Sequence, residues 1–225
     1  MSASEKISSN KVHPLRLKVC GMTQIEQLRA LDEIGVEFAG MIFYHKSPRF
    51  VLKTLNGEDV KKSKLKVYKV GVFVNASYEE IMTHVDHFGL DLVQLHGDES
   101  PRFCEQISSY IQTIKAFRLG EDDNIPWKIK DYSDCCDMYL FDTMGVGYGG
   151  TGKKFNWSTL SGLNIKKPFF LSGGIEPDDV KAIQQIVQDP VAKDLFALDI
   201  NSKFEISPGV KDMVMVREFY KELNK

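Results

Sequence analysis

The chain has 225 residues and almost no charge imbalance, 29 basic against 31 acidic for a formal net charge of -2. No sustained run of either sign occurs, so the broad basic face of a nucleic-acid binder or of a polybasic membrane anchor is missing. No stretch approaches the roughly 18 to 20 consecutive apolar residues of a bilayer span, and residues 1–11 lack the apolar centre of a secretory signal. These absences point to a cytoplasmic protein with neither nucleic acid nor membrane as partner. Cysteine is scarce: Cys20, Cys104, Cys135 and Cys136 show no C-x-x-C spacing and the adjacent two bridge poorly, so neither a disulfide framework nor a zinc site is indicated. Low-complexity segments, linkers and shifts of composition are also lacking. What is present, 43% hydrophobic and 27% charged residues, is the composition of an ordinary globular protein, one large domain or two small ones.

Within it, short β-rich runs alternate with amphipathic stretches, the pattern of parallel strands joined by crossover helices. The runs predict eight strands, at 16–20, 38–43, 68–74, 92–95, 113–119, 138–142, 169–172 and 195–200, mostly near-continuous in apolar residues as strands buried on both faces are. Between them, 24–34 carries Ile25, Leu28 and Leu31 on one face and stops at Gly35. Ser77, followed by Glu79 and Glu80, predicts a helix start, as do Ser100-Pro101 and Glu176-Pro177-Asp178-Asp179. A last helix is expected at about 211–223, while 52–64 is a weak, Lys-rich unit. Eight β-then-α units predict a single (βα)8 TIM barrel over residues 14–225 behind a frayed N-terminal tail, 1–13, with an open doubly wound sheet as the competing arrangement.

Polar, glycine or reactive residues recur where strands end: Cys20-Gly21, Ser47-Pro48-Arg49, Asn75, His96-Gly97, Asp142-Thr143, Ser172-Gly173-Gly174 and Asp199-Ile200-Asn201-Ser202. In a barrel these ends meet at one mouth, where active sites are assembled. Gly173-Gly174 and Asn201-Ser202-Lys203, after the two closing strands, supply free backbone N–H groups suited to phosphate; each also reads as a plain tight turn. The stretch 145–155 holds five glycines, Gly150 and Gly152 flanking Thr151 among them. It fits a lid over an anion or a flexible loop, and it is not a P-loop, because Lys154 stands where Ser or Thr belongs. Cys20, two residues from Lys18 on the same strand face, is a base or nucleophile, or else a small buried residue. Asp142 is a general acid or a turn residue; Arg49 has the fork for a carboxylate, or is solvated. His96 is equally a structural or a titrating group. His84 and His87 suggest a wet helix face, no third metal ligand being evident.

Several motifs, in order, resemble the phosphoribosylanthranilate isomerase family of tryptophan biosynthesis. They are Lys18-Val19-Cys20-Gly21-Met22-Thr23, Gly40-Met41-Ile42-Phe43 with Ser47-Pro48-Arg49-Phe50-Val51, Gly71-Val72-Phe73-Val74-Asn75 and Val93-Gln94-Leu95-His96-Gly97-Asp98-Glu99. Further on come Phe141-Asp142-Thr143, Gly149-Gly150-Thr151-Gly152-Lys153-Lys154-Phe155-Asn156-Trp157, Leu171-Ser172-Gly173-Gly174-Ile175 and Pro208-Gly209-Val210-Lys211-Asp212. The resemblance implies a (βα)8 barrel whose strand C-terminal ends carry an Amadori rearrangement of N-(5-phosphoribosyl)anthranilate, without metal or organic cofactor, in a monomer or homodimer. By the same resemblance Asp142 is the general acid and Cys20 the general base, Arg49 holds the anthranilate carboxylate, and Gly150, Thr151, Gly152, Gly173, Gly174, Asn201 and Ser202 bind the substrate, chiefly its phosphate. After Asp199 the family often has Ser-Ser-Gly, where this chain has Asn201-Ser202-Lys203 among larger residues. Other sugar-phosphate barrels, an isomerase of histidine biosynthesis or a pentose-phosphate epimerase, explain the phosphate turns but give Cys20 and Arg49 no joint role. A barrel that binds a phosphorylated metabolite without turnover leaves Cys20 and Asp142 unexplained together.

Overall fold

In the computed structural model, which describes residues 15–120, 122–143 and 157–225, eight parallel strands close into a barrel in chain order. They are β1 (Arg16–Cys20), β2 (Phe38–Ile42), β3 (Tyr68–Phe73), β4 (Leu92–Leu95), β5 (Gln112–Leu119), β6 (Met138–Thr143), β7 (Phe169–Leu171) and β8 (Leu195–Ile200). Pairing of β1 with β8, Lys18 opposite Asp199, closes the ring and excludes the open sheet. The expected strands stand, with ends shifted by a residue: β2, β3 and β7 stop one short, β5 starts at Gln112 and β6 runs on to Thr143. The expected tail, 1–13, lies outside the described residues.

The outer helices follow local signals. Helix α1 (Ile25–Ile34) ends at Gly35, whose φ of 90° lets its N–H reach back to the last carbonyls. The 52–64 unit is a 3-10 turn, Val51–Lys53, and then a short α2 (Gly57–Lys62). Ser77 caps α3 (Tyr78–Phe88) by accepting from the Glu80 N–H, and Ser100 caps α4 (Pro101–Ser108). Helices α5 (Ile125–Ile129) and α6 (Val180–Ile186) are short; Glu176 and Asp179 form a capping box before α6. Two expectations are corrected. The last helix, α7, begins at Met213 rather than 211, because Asp212 caps it and Lys211 belongs to a hairpin, β9 (Glu205–Ser207) with β10 (Val210–Lys211). His84 does not lie on a wet face: it stacks on Phe43 at 4.6 Å, and burial pulls its pKa down.

Alternation along each strand sends one set of side chains outward to the helices and the other into the barrel. The inner set includes Phe38, Val70, Leu92, Ile114, Met138, Leu140, Phe170 and Ala197, with Phe38 edge-on to Phe170 at 5.5 Å. A filled interior makes the barrel a rigid support, each fully buried large apolar side chain contributing about 1.5–3 kcal/mol. At the strand starts an acidic residue just before each even strand accepts an N–H from the odd unit preceding it. Glu37 takes Leu17 N–H at 2.9 Å, Asp91 takes Lys69 at 2.8 Å, Asp137 takes Thr113 at 2.7 Å and Asp194 takes Lys166, entering β7, at 3.1 Å.

Candidate active site

Cys20 ends β1 and is 5% exposed. The thiol fits because its neighbour on β2 is Gly40; a Cβ there would stand 2.8 Å from Sγ. Beneath it Lys18, fully buried, donates to Asp199 at 2.8 Å. Burial alone would lower the Lys18 pKa, but the charges of Asp199 and Cys20 outweigh it and hold the ammonium above its ordinary pKa. Burial pushes the Cys20 thiol up, while Lys18 beside it pulls the other way. The thiol thus has a cation next to it in a site that otherwise disfavours thiolate.

Asp142, near the end of β6, is 14% exposed in its side chain and faces His96 from the end of β4, with Nε2 to Oδ2 at 3.4 Å. Its other oxygen accepts the Thr143 N–H at 2.9 Å. The Gln94 amide Nε2 lies 2.7 Å from His96 Nδ1; where that amide donates, Nε2 carries the imidazole proton toward Asp142. Asp199 is near enough to feel the charges of Lys18, Asp142 and His96, so β1, β4, β6 and β8 share one electrostatic neighbourhood.

Arg49 follows the turn after β2 and its fork is engaged by the protein itself: Nε and Nη2 donate to the two Glu205 oxygens at 2.8 and 2.6 Å. Lys211 donates to the same carboxylate at 2.8 Å, and to the Asn201 backbone and side-chain oxygens at 3.1 and 2.8 Å. The bidentate bond raises the Arg49 pKa, and although burial opposes ionisation of Glu205, the two cations outweigh it and hold this carboxyl below its ordinary value. The hairpin is aimed by α1, where Gln27 exchanges hydrogen bonds with the Lys211 main chain at 2.7 and 3.0 Å. Asn201 therefore braces Lys211 with both its oxygens, in addition to lying at the mouth.

Gly173 and Gly174 take φ of 95° and 67°, a turn after β7 that side chains with a Cβ resist. Ser202 opens a 3-10 turn, Ser202–Phe204, after β8. The two turns are tied by Lys203, whose Nζ donates to Glu176 Oε1 at 2.7 Å. Gly150, Thr151 and Gly152 lie outside the described residues. Among the described residues no cluster of three or more His, Cys, Asp or Glu side chains is placed to hold a metal ion, and no helix is long and apolar enough to cross a membrane.

A sequence profile of N-(5'-phosphoribosyl)anthranilate (PRA) isomerase matches residues 17–222. The chain belongs to the phosphoribosylanthranilate isomerase family. A relative from Parabacteroides distasonis, N-(5'-phosphoribosyl)anthranilate isomerase, is 38% identical over 209 residues, 92% of each chain. The crystal structure of phosphoribosyl anthranilate isomerase from Thermotoga maritima superposes with a TM-score of 0.78 at 32% identity, covering 93% of this chain and 98% of that one. A further crystal structure of the isomerase, in complex with reduced 1-(o-carboxyphenylamino)-1-deoxyribulose 5-phosphate, gives a TM-score of 0.74 at 29% identity over 93% of this chain and 98% of that one.

Within this family frame, Cys20, Arg49, Asp142, Gly173, Gly174, Asn201 and Ser202 all sit at strand ends or in the loops after them, on one side of the barrel. Sequence reasoning gave Asp199, Glu205 and Lys211 no role, although Asp199 stood among the strand-end residues and Lys211 in the last family motif. Asp199 had a signal, an acidic residue inside an apolar strand, where an unpaired charge is costly. Glu205 had none beyond the hairpin turn Pro208-Gly209.

Proposed function

We propose that the protein is a phosphoribosylanthranilate isomerase of tryptophan biosynthesis, converting N-(5-phosphoribosyl)anthranilate to 1-(2-carboxyphenylamino)-1-deoxyribulose 5-phosphate by cofactor-free general acid and base catalysis. The observation that carries the reading is a thiol with a cationic neighbour on β1 and a carboxyl with an imidazole neighbour on β6, both at the mouth of a family barrel. Asp142 protonates the ribose ring oxygen, and the ring opens to a Schiff base. The Cys20 thiolate removes the proton from the adjacent sugar carbon, and the enolamine formed tautomerises to the ketone. An acid and a base on separate strands suit a reaction that protonates one side of a sugar and deprotonates the other.

The remaining groups bind. With Nε and Nη2 of Arg49 committed to Glu205, its Nη1 edge is left for the anthranilate carboxylate, and Glu205 is what holds the guanidinium at that angle. The substrate phosphate rests on the turns at Gly173-Gly174 and Ser202; Gly150, Thr151 and Gly152, which the family resemblance adds as binding residues, lie outside the described residues. Freshly generated phosphoribosylanthranilate should lose its fluorescence far faster with the purified protein than without it. Decay at the uncatalysed rate would overturn the assignment.

A further inference from the structure

The pair Lys203–Glu176 differs in exposure from the ion pairs buried at the mouth. Lys18–Asp199 and Arg49–Glu205 are buried, whereas the Lys203 and Glu176 side chains are 38% and 44% exposed, and they join the two turns that follow β7 and β8. Their freedom is unequal. Glu176 is also the cap of the turn Pro177–Asp179, its carboxylate accepting from the Asp179 N–H while Asp179 accepts from its own. Lys203 swings on a four-carbon stem, its ammonium carrying three donors.

Exposed ion pairs contribute little in water, so Lys203 gives up Glu176 at small cost. A phosphate monoester, with close to two negative charges and three acceptor oxygens, is the stronger partner for an ammonium. Glu176, two residues beyond Gly174, would repel such a dianion in proportion to its charge. We propose that Lys203 is a phosphate ligand, exchanging its bond with Glu176 for one with the substrate phosphate at the turns of Gly173-Gly174 and Ser202. The inference rests on the isomerase reading for where the phosphate lies, and it adds to that site a cation and an opposing carboxylate.

The two residues then act with opposite sign, which a merely structural bridge does not. Binding of inorganic phosphate, measured by calorimetry at ionic strength held constant with chloride, separates the cases. Lys203→Met should weaken phosphate by about tenfold, the loss of one charge-assisted hydrogen bond, and Lys203→Arg should stay within about twofold of wild type. Glu176→Gln, which keeps an oxygen for the Asp179 N–H, should tighten phosphate by about two- to fivefold. If Lys203→Met and Glu176→Gln move the affinity in the same direction, or if neither moves it, the proposal fails. Opposite shifts in a protein that leaves phosphoribosylanthranilate unchanged would uphold the phosphate ligand and sink the isomerase reading. Turnover without those shifts would do the reverse.

Discussion

At Cys20 two demands conflict, because a base must be a thiolate and a buried thiol resists becoming one. Burial raises its pKa, so the base form is scarce at low pH and grows as pH rises, and kcat/KM should show an acidic limb governed by this thiol. Lys18→Met removes the cation that favours thiolate and should move the limb to higher pH. Asp199→Asn removes an anion that disfavours it and should move the limb lower. Iodoacetamide labelling of Cys20 against pH checks both, and a limb that stays put in both variants would exclude the Lys18–Asp199 pair from tuning the base. In their acid and base roles, Asp142→Asn and Cys20→Ala should each lower kcat by about two orders of magnitude or more with the melting temperature little changed, and near-normal turnover would remove the role. Gly40→Ala drives a methyl to within 2.8 Å of Sγ. It should lower kcat by about tenfold and stability by about 1–3 kcal/mol, the cost of overpacking, as read by steady-state kinetics and urea unfolding.

Among the elements, strands were the most legible, because residues buried on both faces leave mostly apolar runs. The runs at 16–20, 92–95 and 195–200 coincide with β1, β4 and β8. The capping signals at Ser77 and Ser100 were local and therefore visible. The partners of the site were not, since Lys18 meets Asp199 across 181 positions and Arg49 meets Glu205 across 156, contacts that exist only once the barrel closes. Lys211 was misplaced for a related reason: a helical pattern from Met213 onward extends backward plausibly unless the β9–β10 hairpin is known. That hairpin carries a test. Glu205 is 4% exposed in its side chain between Arg49 and Lys211, so Glu205→Gln leaves two buried cations without their countercharge and should cost about 3 kcal/mol at neutral pH. Its folded pKa is depressed, so the contribution is full above the ordinary carboxylate value near 4.5 and fades as pH falls through the lower folded one. Urea titrations of both proteins should converge in acid. KM for the anthranilate substrate should rise several-fold as Arg49 loses its hold.

Across the whole molecule, the charged groups that matter for the mouth are few and mutually compensated, and the near-zero net charge fits a small anionic substrate met by a few placed donors. The opposite end of the barrel is organised differently. There Glu37, Asp91, Asp137 and Asp194 each fasten the unit of an odd strand to the even strand that follows. The barrel is in this sense coopered from four staves of two strands, and other carboxylates join stave to stave: Asp32 on α1 accepts the Lys66 and Val67 N–H groups entering β3 at 2.7 Å, and Glu99 after β4 meets Lys115 of β5 at 2.7 Å. A chain severed between staves, in the β4-to-β5 connection near residue 110, keeps each of the four strand-start fastenings inside one fragment or the other but parts the buried Lys115–Glu99 pair. One severed between β3 and β4, near residue 89, separates Asp91 from Lys69. Coexpressed fragments should reassemble into active barrel more fully from the first cut where the strand-start fastenings dominate, and more fully from the second where the buried Lys115–Glu99 pair does, as judged by isomerase activity per mole of complex. Equal recovery would mean that the staves carry no cohesion of their own and that the ring coheres only when whole.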